Sequence, residues 1–258
     1  MIGGPQEHAL REDLVRRAKS LYKQGLLTAL EGNLSVRFGG RWILATPSGH
    51  AKSDLEAQDL VLLDLGPASA RGASAAEEPR IARAQRGRVP SSELQMHLAV
   101  YAARPDLHAV VHAHPPTAIG LTFAKPAPRL DICPEAVVFL GEVPTAPYAT
   151  PGTDELAQSI IPFLSYADVI LMERHGALCA GPDLDLAYYR MEALESLAKI
   201  YITARQFGPV VPLDDAEQKK LRALAAAAKN ETKNPKEALD PETLMRNVLA
   251  RLSQESSR

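Results

Sequence analysis

The stretch Ala109-Val110-Val111-His112-Ala113-His114, closed by Pro115-Pro116, decides how this chain folds and what it carries. Its apolar, β-branched beginning reads as a short buried strand, and two prolines that cannot donate to a ladder end it. Side chains alternate along a strand, so His112 and His114 share one face and two imidazoles arrive together at the strand end. His108 has the same parity but lies further from that end and ranks below them. A lone histidine is more often a hydrogen-bonded core residue. A pair at this spacing, supported by further motifs, points instead to a metal. A third histidine and a nearby carboxylate would complete a three-nitrogen site with an open position, the pattern of catalytic rather than structural zinc.

Candidates for both lie within reach. His175 follows the apolar run Val169-Ile170-Leu171-Met172 and precedes Gly176, which suits a ligand at a strand end and equally an ordinary hairpin. Ser91-Ser92-Glu93 opens a helix expected from Ser92 to about Ala103, with Ser92 as cap and Gln95 completing a capping box. Glu93 in its first turn can serve as a fourth metal ligand and then as general base. The same carboxylate also suits the positive end of the helix dipole. His97, one turn on, is assigned to packing or hydrogen bonding. Three small polar turns, Gly32-Asn33, Ser48-Gly49 and Ser91-Ser92, offer backbone N–H groups and side-chain donors suited to a phosphate.

Around this centre the pattern alternates between periods. Residues 7–24 place Leu10, Leu14, Ala18, Leu21 and Tyr22 on one helix face, ended by Gly25. Gly39-Gly40 joins two strands as a hairpin, and Leu60-Val61-Leu62-Leu63 is another strand. Further strands are expected at 108–114, 136–140, 143–147, 168–173 and 176–180. A helix from about Asp183–Leu186 to Phe207 carries Tyr189, Ala193, Leu197 and Ile200 on one stripe. Two more are expected at about 214–229 and 241–252, with Ser253–Arg258 fraying. Gly66–Val89 is rich in Ala, Ser, Arg and Gly and reads as an exposed mobile loop whose ends meet near the site. Strands through the middle with helices flanking them predict one α/β domain.

Composition narrows the class. The chain of 258 residues has 29 basic and 31 acidic residues, a net charge of −2 that attracts neither nucleic acid nor an anionic membrane. No apolar run is long enough to span a bilayer, and the amino terminus lacks the apolar core of a signal peptide. Two cysteines, Cys133 and Cys179, make no disulfide framework and fit a reducing compartment, so the cytoplasm is expected.

Six motifs then fall in one order: Gly32-Asn33-Leu34-Ser35, Thr46-Pro47-Ser48-Gly49, Pro90-Ser91-Ser92-Glu93 with His97, Val111-His112-Ala113-His114, Tyr148-Ala149-Thr150-Pro151-Gly152-Thr153 and His175-Gly176. The ordered set resembles the class II aldolase/adducin family over roughly residues 7–212. The resemblance implies a three-layer α/β/α domain with a mainly antiparallel central sheet, placed over 1–212; the helices expected beyond Pro212 form a tail over 213–258. It also implies a homotetramer with sites at subunit junctions. One zinc per chain, or another divalent metal, would be held by His112, His114, His175 and Glu93. A substrate phosphate would lie on Gly32, Asn33, Ser48, Gly49, Ser91 and Ser92.

The implied reaction is aldol cleavage of a phosphorylated ketose, such as L-fuculose 1-phosphate, to dihydroxyacetone phosphate and an aldehyde through an enediolate, with Glu93 as acid/base. Alternatives within the family are a 4-epimerase, a ketose-1-phosphate dehydratase and a non-catalytic interaction module. Two family tyrosines are absent: Leu130–Glu135 holds Cys133 and Glu135 but no tyrosine, and none follows Tyr201. Gly66–Val89 is also longer than the family's usual connection.

Overall fold

A computed structural model describes residues 3–66, 79–85, 87–231, 243, 245–248 and 250–251. Among them, eight strands form one sheet: β1 (Asn33–Phe38), β2 (Trp42–Ala45), β3 (Val61–Asp64), β4 (Arg80–Arg83), β5 (Ala109–Ala113), β6 (Thr145–Ala146), β7 (Val169–Met172) and β8 (Gly176–Gly181). Their order is β4-β3-β2-β1-β5-β8-β7-β6, antiparallel throughout except for the β6–β7 pair. Gly39 and Gly40, at φ +56° and +67°, turn β1 into β2 in a three-residue connection with Arg41, taking left-handed values that glycine adopts without strain.

The helices are α1 (Pro5–Lys23), α2 (Leu94–Ala103), α3 (Pro116–Leu121), α4 (Asp154–Ile160), α5 (Leu184–Arg205) and α6 (Asp215–Glu231). Strand β5 is buried on both faces, which explains the continuous apolar run Ala109-Val110-Val111 before His112. Ala109 and Val111 join a core with Leu14 and Leu21 of α1 and Met191 and Leu194 of α5. Val110 faces the other way, with Met96 and Val100 of α2 and Leu156 and Ile160 of α4. The sheet therefore lies between two helical layers, as the sequence predicts. Each fully buried leucine in these layers contributes about 1.5–3 kcal/mol. None of the described helices is long and apolar enough to cross a membrane.

Several expectations are corrected. Ala136–Leu140 is a π-helical turn rather than a strand, ended where Gly141 at φ +72° bonds back to Ala136. Five consecutive apolar residues carry no period, and burial between α5 and α6 decides their form. Ser92 does not cap α2: the helix begins at Leu94 after a non-helical Glu93, with no side-chain cap. The buried stripe of α5 is Leu184, Ala187, Met191, Leu194 and Ala198, so Ile200 is exposed. Tyr22 likewise lies outside the buried face of α1. Within 66–89, Arg80–Arg83 is an edge strand on β3, not loop. The mobile loop expected there otherwise falls largely on 67–78 and 86, outside the described residues, as does the fraying expected for 253–258. Of the helix expected over 241–252, the described residues are helical. Helix α6 packs Leu221, Leu224 and Ala225 on Val137 and Val138.

Candidate active site

The ends of three adjacent central strands meet at one end of the sheet. Strand β1 starts at Asn33, which pairs with His112 near the end of β5. Across the other side of β5, Ala113 pairs with Ala177, which sets Gly176 opposite His114, one residue past the strand. A methyl group on Gly176 would lie 2.7 Å from the Ala113 carbonyl oxygen, 2.8 Å from Cε1 of His112 and 3.0 Å from Cδ2 of His114. The missing side chain is the space that two imidazoles occupy. His175 closes a tight turn, its N–H donating to Met172 at 3.1 Å, with Arg174 in the left-handed region at φ +59°. A left-handed non-glycine residue costs about 1–3 kcal/mol. Thr122 Oγ1 accepts the Arg174 N–H at 2.9 Å and holds it there.

The three imidazole rings lie 4.9, 4.9 and 5.0 Å apart, and one ring nitrogen from each falls within 4.8 Å of the others. Glu93 faces two of them, Oε2 at 3.2 Å from Nε2 of His112 and Oε1 at 3.1 Å from Nε2 of His175. His112 Nδ1 lies 3.0 Å from the carbonyl of Ala177. A carbonyl only accepts, so in the neutral ring Nδ1 carries the hydrogen and Nε2 presents a lone pair. That lone pair sits 3.1 Å from Nε2 of His114 and beside a carboxylate. Converging lone pairs with no donor between them suit a cation, and three imidazoles with a carboxylate suit zinc or a similar divalent ion.

The electrostatics agree. Burial pushes the Glu93 carboxyl up, but its close contacts with the His112 and His175 imidazoles outweigh that and hold it well below the usual carboxylate range. Burial, with the neighbouring His112 and His175, lowers His114 to about 3, so its ring is neutral and free to ligate. Asn33 fixes the carboxylate, its Nδ2 donating to Glu93 Oε2 at 2.8 Å and to Ser91 Oγ at 3.1 Å. Further out, Glu195 of α5 accepts from the N–H groups of Thr117 and Ala118 at 3.1 and 3.0 Å, anchoring the turn that follows His114. His97 is 1% exposed and its Nδ1 lies 2.7 Å from Ser35 Oγ, which also meets Tyr101.

The three anion-suited turns lie side by side. Gly32 takes φ +67°, and a Cβ there would meet Leu27 at 2.2 Å and the His112 carbonyl at 2.8 Å. Asn33 ties this turn to Ser91, and Ser48 N–H donates to the Val89 carbonyl at 2.9 Å. Gly152, from the Tyr148–Thr153 motif, lies against Ser92. By contrast His108 and His8 are exposed and stand apart from the triad, while His50 pairs with Asp59 at 3.3 Å. Two residues near the centre escape the motif reading. Glu31 Oε2 lies 3.5 Å from Nδ1 of His114, and Lys52, 2% exposed, donates to the Leu30 carbonyl. The only sequence signal for Lys52 is its place three residues after Gly49.

Residues 12–202 match the model of the class II aldolase and adducin N-terminal domain. The chain belongs to the class II aldolase and adducin family. It is 31% identical over 210 residues to the L-fuculose phosphate aldolase of Haemophilus influenzae, covering 81% of this chain and 89% of that relative. It is also 31% identical over 198 residues to a 3-oxo-tetronate 4-phosphate decarboxylase of Escherichia coli, covering 75% and 86%. The solved structure of an L-fuculose 1-phosphate aldolase superposes with a TM-score of 0.72 at 30% identity, over 83% of this chain and 94% of the other. As a class II aldolase-type enzyme, the chain is a lyase, and His112, His114 and His175 form a group able to hold the divalent metal that such enzymes use.

Proposed function

We propose that this class II aldolase is zinc-dependent and cleaves a phosphorylated ketose, such as L-fuculose 1-phosphate, to dihydroxyacetone phosphate and an aldehyde through an enediolate. The observation that carries the reading is the convergence of His112, His114 and His175 with the Glu93 carboxylate beside three anion-suited turns. The bound metal supplies Lewis-acid stabilisation of negative charge on the substrate's carbonyl and adjacent hydroxyl oxygens. Gly32, Asn33, Ser48, Gly49, Ser91 and Ser92 hold the phosphate and so fix which carbon faces Glu93. In cleavage the C4 hydroxyl gives up its proton and becomes the aldehyde carbonyl as the bond between C3 and C4 breaks; the bond's electrons stay with the ketone fragment, and Glu93, having taken up a proton, delivers it to C3. In synthesis Glu93 removes that proton, and the Asn33 amide keeps the carboxylate aimed while it is ionised.

A second reading shares this half of the chemistry. Decarboxylation of a 3-oxo-tetronate 4-phosphate also leaves an enediolate for Glu93 to protonate, and it generates no aldehyde oxygen. The absence of a tyrosine from Leu130–Glu135 favours it. Incubation of the zinc-loaded enzyme with L-fuculose 1-phosphate, L-ribulose 5-phosphate and 3-oxo-tetronate 4-phosphate separates the outcomes. Released aldehyde supports the aldolase, carbon dioxide the decarboxylase, and inversion at C4 without free aldehyde an epimerase. Turnover of none of the three refutes this substrate class.

The resemblance further supports a cytoplasmic homotetramer with sites at subunit junctions. Residues 1–212 would carry the site and 213–258 a helical tail. Phe207 and Val211, 87% and 78% exposed, are apolar surface that such an assembly would cover.

A further inference from the structure

Lys52 is among the largest side chains to be fully buried, and it is a cation. Burying an ammonium without a counter-charge is costly, and such groups are ordinarily paired. Yet no carboxylate among the described residues lies within ion-pair distance of it; its hydrogen-bond partner is the Leu30 carbonyl at 3.0 Å. One of its three hydrogens is thereby used and two remain. Leu30 adjoins Glu31, whose carboxylate lies 3.5 Å from Nδ1 of His114, so Lys52 stands on the site side of its loop.

Position and charge balance say what it is for. Leu30 immediately precedes Glu31-Gly32-Asn33, and Lys52 follows Ser48-Gly49, so this one side chain ties two of the three anion-suited turns together. Every side chain proposed to hold the phosphate is neutral, while the Glu93 carboxylate stands beside them. A phosphate dianion placed there needs a neighbouring cation. Arg88, another cation near these turns among the described residues, is committed to Asp59 at 2.7 Å. We propose that the Lys52 ammonium is the charged contact of the substrate's phosphate, spanning the Gly32-Asn33 and Ser48-Gly49 turns and supplying the positive charge that those turns lack. This rests on the reading above that these turns hold a phosphate.

The test uses the full-length, zinc-loaded enzyme and titrates inorganic phosphate, dihydroxyacetone phosphate and dihydroxyacetone by calorimetry. Wild type is expected to bind both phosphates. In Lys52→Gln and Lys52→Met their affinity should fall about 10- to 100-fold, the range for a hydrogen bond to a charged group. Affinity for dihydroxyacetone and metal content should stay as in wild type, and the kinetic loss should fall on KM rather than kcat. Phosphate binding unchanged in folded Lys52→Gln, or a loss confined to kcat, overturns the proposal. A wild type that binds no phosphate refutes the phosphate site itself, and this proposal with it. Should neither variant fold, the Lys52 side-chain resonances of the wild-type chain decide: they must move on phosphate addition, and if phosphate binds without moving them the proposal fails.

Discussion

Gly176→Ala probes how the histidines are packed. The added methyl would sit 2.7 Å from the Ala113 carbonyl, 2.8 Å from the His112 ring and 3.0 Å from the His114 ring, inside contact distance of all three. The first is backbone of the central strand β5, and His112 is fully buried, so neither can swing away freely. Relief must come from parting β5 and β8 or from turning the two imidazoles. Overpacking of this kind costs about 1–3 kcal/mol. At about 2–4 °C per kcal/mol for a chain near this size, the metal-free melting temperature should fall by about 2–12 °C. Displaced imidazoles should also weaken zinc affinity by about 10- to 100-fold, the usual effect of disturbing what orients metal ligands. The assay is zinc titration against a competing chelator, with thermal melts of the metal-free chain. Gly120→Ala is the control, because nothing lies within 4 Å of its Cβ position. Wild-type zinc affinity and melting in Gly176→Ala would refute the packing argument.

Asn33→Asp replaces the amide that donates to Glu93 at 2.8 Å with a like charge. The acid limb of the kcat/KM profile should then move up by about one to three pH units, and an unmoved limb would deny Glu93 the titrating role. His97 gives a stability prediction. Burial lowers it to about 3, with His112 adding to the effect and Glu93 opposing it. The unfolded value is about 6.5, so between these limits the unfolded chain binds more protons and stability falls as pH falls. In urea titrations of the metal-free chain from pH 6 to 4, His97→Gln should flatten that fall by about 1.4 kcal/mol per pH unit. Equal slopes in both proteins would contradict it.

What the sequence made legible depended on local pattern. The Ala109–His114 run and its prolines announce a buried strand bearing paired imidazoles, and Gly39-Gly40 announces a hairpin; both rest on short-range sterics. Ala136–Leu140 could not be read, because an aperiodic apolar run is set by what packs on it, here α5 and α6. Arg80–Arg83 is an exposed edge strand with no apolar face to reveal it. Ser92 has the chemistry of a cap, but Glu93 leaves the helix to face His112 and His175, a long-range demand that overrides local preference. Lys52 and Glu195 belong to no motif. Their roles come from chain reversals that bring Leu30 to one and the turn after His114 to the other.

The central claim is that Glu93 moves a proton on a substrate activated beside His112, His114 and His175. Its most direct test is exchange of the C–H proton of dihydroxyacetone phosphate with deuterated solvent, followed by NMR, with zinc measured in the same samples. Wild type should carry about one zinc per chain and catalyse exchange. Glu93→Gln should keep the metal through the three histidines and lose exchange altogether. Exchange at the wild-type rate in metal-loaded Glu93→Gln, or in wild type stripped of metal, would contradict the account.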